Sequence, residues 1–321
     1  MVRLLLFVFS NLCFAAPPCL PQSQACSQLW QIDKHNNIEL FASHSLEKVD
    51  LDLEKLVITI HGVLRNASDY YAGMMNAAKL QGVEDKTLII SPHFKSDEEP
   101  KMTTELYWTK GNWKYGSVSS NVEENKKVSA YTVMDLLLER INQSRNFPRL
   151  KEIVLIGHSA GGQYVSRYSV TGKYHSIIPL HYIISNPSSY LYLSSQRPTS
   201  DPEKYATPTT ENCPDYDDYA YGLKNRNFYS AQTPASQLVS RFLSRKVTLL
   251  LGESDTELED LDTSCEANLQ GKNRWERGNH YYNYIRHSFP NTTLNKTTVP
   301  GVGHDSEKMY QSVEGRSLIF N

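Results

Sequence analysis

Short apolar runs punctuate this chain at intervals, and most are apolar on consecutive positions rather than on alternate ones. Residues 55–60 carry Leu56, Val57, Ile58 and Ile60, and 153–156 read Ile-Val-Leu-Ile. Strands of this kind are buried on both faces. Similar runs predict strands over 87–90, 181–185, 246–251 and 292–299, with an edge strand over 38–43. Between them the spacing turns helical. A helix is expected over 69–80, with Ser68 as N-cap and Gly82 beyond its end, and others over 128–141 and 280–288. Buried strands alternating with helices predict an α/β fold, a mostly parallel sheet covered on both sides.

Two stretches break the rhythm. Residues 94–121 are polar and then aromatic, with Tyr107, Trp108, Trp113 and Tyr115, and predict a long ordered loop over one sheet edge. Residues 187–245 show little periodicity, are punctuated by Pro198, Pro202, Pro208, Pro214 and Pro234, and predict an inserted cap. This segment holds Tyr190, Tyr192, Tyr205, Tyr216, Tyr219, Tyr221 and Tyr229, out of 20 tyrosines in the chain. Either these rings line an amphipathic inner surface, or they pack the insertion onto the sheet.

The 321 residues suffice for one large domain with an insertion. A net charge of -2 and a pI near 6.6 give no electrostatic case for nucleic acid. Residues 1–16 read as a secretory signal: Arg3, an apolar centre, then Ala15-Ala16 for cleavage. The run is interrupted by Ser10-Asn11 and is too short for a span of about 20 apolar residues. No stable membrane anchor is expected, and the mature chain, 17–321, would be secreted or periplasmic. Cys13 leaves with the signal, so Cys19, Cys26, Cys213 and Cys265 form an even set suited to disulfides. Of three possible pairings, Cys19 with Cys26 and Cys213 with Cys265 is favoured. No spacing suggests a zinc or other metal site. Asn66, Asn142, Asn291 and Asn295 begin N-x-[ST] sequons, which matter only in a eukaryotic secretory pathway.

The candidate chemistry sits at strand ends. The run 153–156 drives into Gly157-His158-Ser159-Ala160-Gly161, a G-x-S-x-G turn of the kind that presents a serine nucleophile ahead of a helix. The strand over 246–251 ends Gly252-Glu253-Ser254-Asp255, and the last one ends Gly301-Val302-Gly303-His304. Glu253, Glu257, Glu259, Asp260 and Asp262 crowd the acid loop, and position favours Asp255. The strand over 55–60 runs into His61-Gly62. With these motifs in the order Ser, Asp, His, the chain resembles serine hydrolases of the α/β-hydrolase fold over about residues 38–321. The resemblance implies Ser159 as nucleophile, His304 as base and Asp255 as its orienting acid. It also implies the backbone amides of Ala160 and Val63 as oxyanion donors, with no cofactor. Here the sequence has His-Gly-Val-Leu, unlike the glycine-rich H-G-G-G of one esterase branch. His61 and His158 are expected to support the site rather than react. The expected reaction is ester cleavage through an acyl-enzyme, on a small-molecule or polymer ester. A serine peptidase, a lipase, or a non-catalytic binding protein of this fold are the alternatives.

Overall fold

The computed structural model describes residues 17–21, 26–109, 111–120, 127–201, 204–209 and 211–321. The secretory signal expected over 1–16, with Cys13, and Pro202 lie outside them. Strand β5 (Glu152–His158) shows why the sheet forms. Ile153, Val154, Leu155 and Ile156 are all fully buried, and their alternation feeds two separate cores. Ile153 and Leu155 join the core beneath α2 (Ala130–Gln143) and α3 (Ala160–Thr171). Val154 and Ile156 join the opposite core, with α1 (Ala67–Gln81), α7 (Ser306–Gln311) and α8 (Val313–Phe320). Helices therefore cover both faces, as the consecutive apolar runs require.

The remaining strands are β1 (Ser27–Gln31), β2 (Asn37–Ala42), β3 (Lys55–Ile60), β4 (Thr87–Pro92), β6 (Leu180–Ser185), β9 (Lys246–Gly252) and β10 (Asn295–Val299). A separate two-stranded ribbon pairs β7 (Arg197–Pro198) with β8 (Tyr205–Ala206). The main sheet runs β1-β2-β4-β3-β5-β6-β9-β10. β1 and β2 are antiparallel to their neighbours, and every pair from β4 to β10 is parallel. The chain passes from β3 to β4 on one side, then returns to place β5 on the other, so the strand order reverses beside β5. Open α/β sheets bind ligands outside the carboxyl ends of their strands at such a point. Register brings those ends level: Ile60 faces Gly157, His158 faces Ser185, and Val299 faces Gly252.

Three local expectations change. β2 is an interior strand, because β1 lies outside it. The helix α1 begins at Ala67 with Asn66, not Ser68, at its N-cap position, while Gly82 closes it at φ 71°. Within 187–245, α4 (Ala235–Ser244) follows Pro234 and forms the crossover from β6 to β9. The insertion proper is the irregular part before it. Most of its tyrosines turn inward. Tyr190, Tyr192, Tyr216 and Tyr229 are buried, and Tyr190 stacks on Tyr281 of α6 (Arg274–Ser288) at 4.5 Å between centroids. Cys19 and Cys26 are joined with sulfurs 2.06 Å apart, and Cys213 and Cys265 at 2.05 Å. The second pair ties the insertion to the short helix α5 (Cys265–Asn268). Among the described residues no helix is long and apolar enough to cross a membrane.

Candidate active site

The turn from β5 to α3 leaves no room for side chains beside its serine. Ser159 takes φ 58° and ψ −121°, a region L-residues avoid. A Cβ on Gly157 would stand 2.2 Å from the Gly161 carbonyl oxygen, and one on Gly161 would stand 2.1 Å from that of Ile60. Only glycine lets α3 return this closely to the sheet. Ser159 thus sits at the amino end of α3, where free N–H groups favour negative charge.

His304 reaches this serine from the loop after β10. Its Nε2 lies 3.0 Å from Ser159 Oγ and its Nδ1 lies 2.8 Å from Asp255 Oδ2. An ionised carboxylate only accepts, so Nδ1 carries the proton and Nε2 is left to accept from the serine hydroxyl. Asp255 is fully buried on the turn after β9. Its backbone is held at both ends: its N–H donates to the Gly252 carbonyl and its carbonyl accepts from Trp275 N–H at 3.0 Å. Arg274, also fully buried, brings Nη1 to 3.7 Å from Asp255 Oδ1. The same guanidinium donates to the carbonyls of Glu257 and Glu259, bracing the loop. Glu253, Glu257, Glu259 and Asp260 are exposed. Asp262 is engaged elsewhere, accepting from Tyr221 and Ser189 hydroxyls at 2.8 and 3.2 Å.

The loop after β3 is fixed from its carbonyl side. Gly62 O accepts from His61 Nδ1 at 2.9 Å and from Arg65 N–H at 3.1 Å. His61 Nε2 accepts the Phe94 N–H at 3.0 Å, which sets the tautomer. Burial pushes the His61 imidazole down to about 3, so it stays neutral. Trp113, from the aromatic loop, packs on this ring at 4.5 Å between centroids. Arg65, at φ 58°, donates Nη1–H to the Val63 carbonyl and Nε–H to Glu99 at 2.6 Å. Glu99 in turn takes His93, whose other nitrogen meets Glu39. His158 lies behind His304, with ring centroids 4.5 Å apart. Burial, and then the neighbouring His304, hold it well below the usual histidine range.

No family model matches the sequence, and no curated protein matches it either. Solved structures do. Poly(aspartic acid) hydrolase-1 from Sphingomonas sp. KT-1 is similar at a TM-score of 0.65 and 20% identity, over 92% of this chain and 98% of that one. LpqC, a poly(3-hydroxybutyrate) depolymerase from Bordetella parapertussis, is similar at 0.62 and 22%, over 90% and 86%. This chain has the α/β-hydrolase fold.

Within the α/β-hydrolase fold, Ser159, Asp255 and His304 come together; Ala160 opens α3 directly after the serine, and Val63 follows β3, the strand paired with β5. Sequence reasoning missed Asn186. It follows β6 at φ 42°, is buried, and its Oδ1 accepts the Gly252 N–H at 2.9 Å. Its Nδ2 donates to the Gly303 carbonyl at 3.4 Å. One amide thus joins the strand that leads to Asp255 with the loop that carries His304. The available signal was an Asn-Pro pair directly after a buried strand, since Asn tolerates positive φ. Arg65, Glu99 and Arg274 carried no such signal.

Proposed function

We propose that this chain is an exported serine hydrolase that cleaves carboxylic esters through an acyl-enzyme. Ser159 is the nucleophile, His304 the general base and then the general acid, and Asp255 the acid that orients the imidazole. The observation that carries the reading is His304 within hydrogen-bond reach of both Ser159 Oγ and Asp255 Oδ2. In the first step Ser159 Oγ bonds to the ester carbonyl carbon while its proton passes to His304 Nε2. The tetrahedral intermediate collapses, the C–O bond to the alcohol breaks, and the alcohol leaves with that proton. Water then repeats the sequence on the acyl-enzyme and releases the acid.

The amides of Val63 and Ala160 serve as oxyanion donors. Ala160 opens α3 directly after the serine. The Gly62 carbonyl and the Val63 N–H belong to one trans peptide and point in opposite directions. Two donors on the carbonyl therefore support a Val63 N–H that is turned the other way and is polarised for donation. The two cysteine pairs support an oxidising compartment, and with it the leader over 1–16. The name of LpqC, a poly(3-hydroxybutyrate) depolymerase, supports a polymer as one form of the ester substrate.

The test is turnover of a short-chain para-nitrophenyl ester by the native chain and by Ser159→Ala. The variant is expected to lose at least a thousandfold in kcat while keeping its circular dichroism spectrum. Near-native turnover by the variant would remove Ser159 from the reaction.

A further inference from the structure

Arg274 is the first residue of α6, directly after Asn273, whose side chain caps the helix by accepting from Glu276 N–H at 2.9 Å. The amino end of a helix favours negative charge, so a cation placed there works against the dipole. The side chain is also wholly out of solvent. Burial pulls the guanidinium below the usual arginine range, and Asp255 is the foremost charge opposing that pull, ahead of Asp260 and Glu257. The hydrogen bonds of this guanidinium go to neutral acceptors. Nε donates to Ser188 Oγ at 3.3 Å, Nη1 to the Glu257 carbonyl at 3.3 Å and Nη2 to the Glu259 carbonyl at 2.7 Å. Nη1 nonetheless lies 3.7 Å from Asp255 Oδ1, and neither side chain of this pair reaches solvent. The carboxylate is answered unequally. Oδ2 faces His304 Nδ1 at 2.8 Å, whereas Oδ1 accepts no hydrogen bond among the described residues. Native structures rarely leave a buried polar atom without a partner unless it has a catalytic or other special role. Here the charge of Oδ1 is met through space, and in a dry interior two opposite charges at this separation act on each other strongly.

We propose that Arg274 is a positioning residue that acts through Asp255: it answers the open carboxylate oxygen and so limits how strongly the acid draws a proton onto His304. This role rests on the Ser-Asp-His reading and adds to it the group that sets the strength of the base. Asp255 has two cations within reach, Arg274 at Oδ1 and, once protonated, His304 at Oδ2. With Arg274 in place the buried negative charge is already opposed, and the imidazole stays free to take the proton of Ser159. Without it, His304 is the partner left to neutralise Asp255, and an opposite charge at this distance favours the protonated ring. No other neighbour takes over. His158, behind His304, is kept neutral by burial. Burial likewise holds the Tyr190 hydroxyl well above the usual tyrosine value, so it brings no charge. Arg277, on the next turn of α6, is committed to the carbonyls of Gly271, Ser188 and Asp262. Glu253, Glu257 and Asp260 are exposed, where solvent screens them. Asp305 caps α7 by accepting from Lys308 N–H and pairs with the Lys308 ammonium.

The experiment follows kcat/KM for para-nitrophenyl butyrate from about pH 5 to about pH 9, where the acid limb reports the base of the free enzyme. It compares the native chain with Arg274→Met, Arg274→Gln and Arg274→Lys. In the Met and Gln variants the acid limb is expected about one pH unit above its native position, because the unopposed carboxylate holds the imidazolium. Lys keeps the charge and loses the forked bonds to Ser188, Glu257 and Glu259. Its limb is expected at the native position, whatever the height of its rate. A limb is a position on the pH axis, so it does not depend on how much of a preparation is folded. Where the neutral variants yield no folded chain, the Lys limb decides. A limb unmoved in both neutral variants, or displaced in the Lys variant, makes Arg274 a brace for the loop alone and overturns the proposal. A native chain that cleaves no ester, or cleaves it without an acid limb, overturns the Ser-Asp-His reading and this role with it.

Discussion

Asn186 illustrates what a single residue contributes that its own neighbours in sequence cannot reveal. Its backbone takes φ 42° and its amide spans from Gly252 N–H to the Gly303 carbonyl. Asn186→Ala removes both bonds and keeps the volume change small. Its expected cost is about 1–3 kcal/mol for the buried groups left unpaired. Because the loops it joins carry Asp255 and His304, the loss should fall on kcat, with KM nearly unchanged, in steady-state kinetics on a short ester. His61 acts one shell away on the other side of the serine. His61→Phe fills the buried space but cannot donate to Gly62 O, so kcat should fall by ten- to a hundredfold, less than the 10²–10³ for deleting an oxyanion donor outright. An unchanged kcat in His61→Phe would separate His61 from the orientation of the Gly62–Val63 peptide. The trio itself was legible in sequence because Ser159 directly follows the buried β5, Asp255 stands three residues past the end of β9 and His304 five past the end of β10. Asn186 and Arg274 were not, because each acts through a partner far along the chain: Gly303 and Asp255.

At the scale of elements, the strands buried on both faces read correctly because consecutive apolar residues have few other solutions. Of the elements that were missed, α4 and β1 bury little. In α4 only Leu238 and Phe242 are buried, one helical i,i+4 pair among serines, Gln237 and Arg241. β1 buries none of its five residues completely, and it holds its place by pairing with β2. The tyrosines of 187–245 did not reveal their direction either, since a ring that stacks on Tyr281 and one that faces solvent look alike in sequence. The insertion has few elements of its own, so its cross-link carries much of its order. The bond between Cys213 and Cys265 closes 52 residues. Replacing both by serine is expected to lower stability by up to about 4 kcal/mol through the entropy of the unfolded chain. Urea denaturation of the double variant measures this, and an unchanged midpoint would show that the insertion is held by its packing alone.

Across the whole molecule, the buried histidines set how stability follows pH. Burial lowers His61 to about 3 and His181 to about 4, and it holds His158 well below the usual value. An unfolded chain takes up these protons near pH 6.5, and the folded chain does not until much lower pH. Between those limits the unfolded state binds more protons, so stability is complete above about pH 6.5 and declines as pH falls. The lowered carboxyls, Glu39 at about 2 with Glu99, Glu152 and Asp262, add their own losses only at lower pH. The urea midpoint is therefore expected to drop between pH 7 and pH 5, before the carboxyls contribute. An equal or higher midpoint at pH 5 would contradict the neutral, buried state of these rings.

The arrangement at the carboxyl end of the sheet makes one demand above the others: that Ser159 is activated by His304. A fluorophosphonate probe reacts with such a serine and leaves ordinary ones alone. Incubated with the native chain, the probe should label one site, and peptide mass analysis should place it on Ser159. Labelling should be lost in Ser159→Ala and slowed by at least a thousandfold in His304→Ala. A native chain that takes no label at Ser159, or a His304→Ala chain labelled at the native rate, would contradict the account.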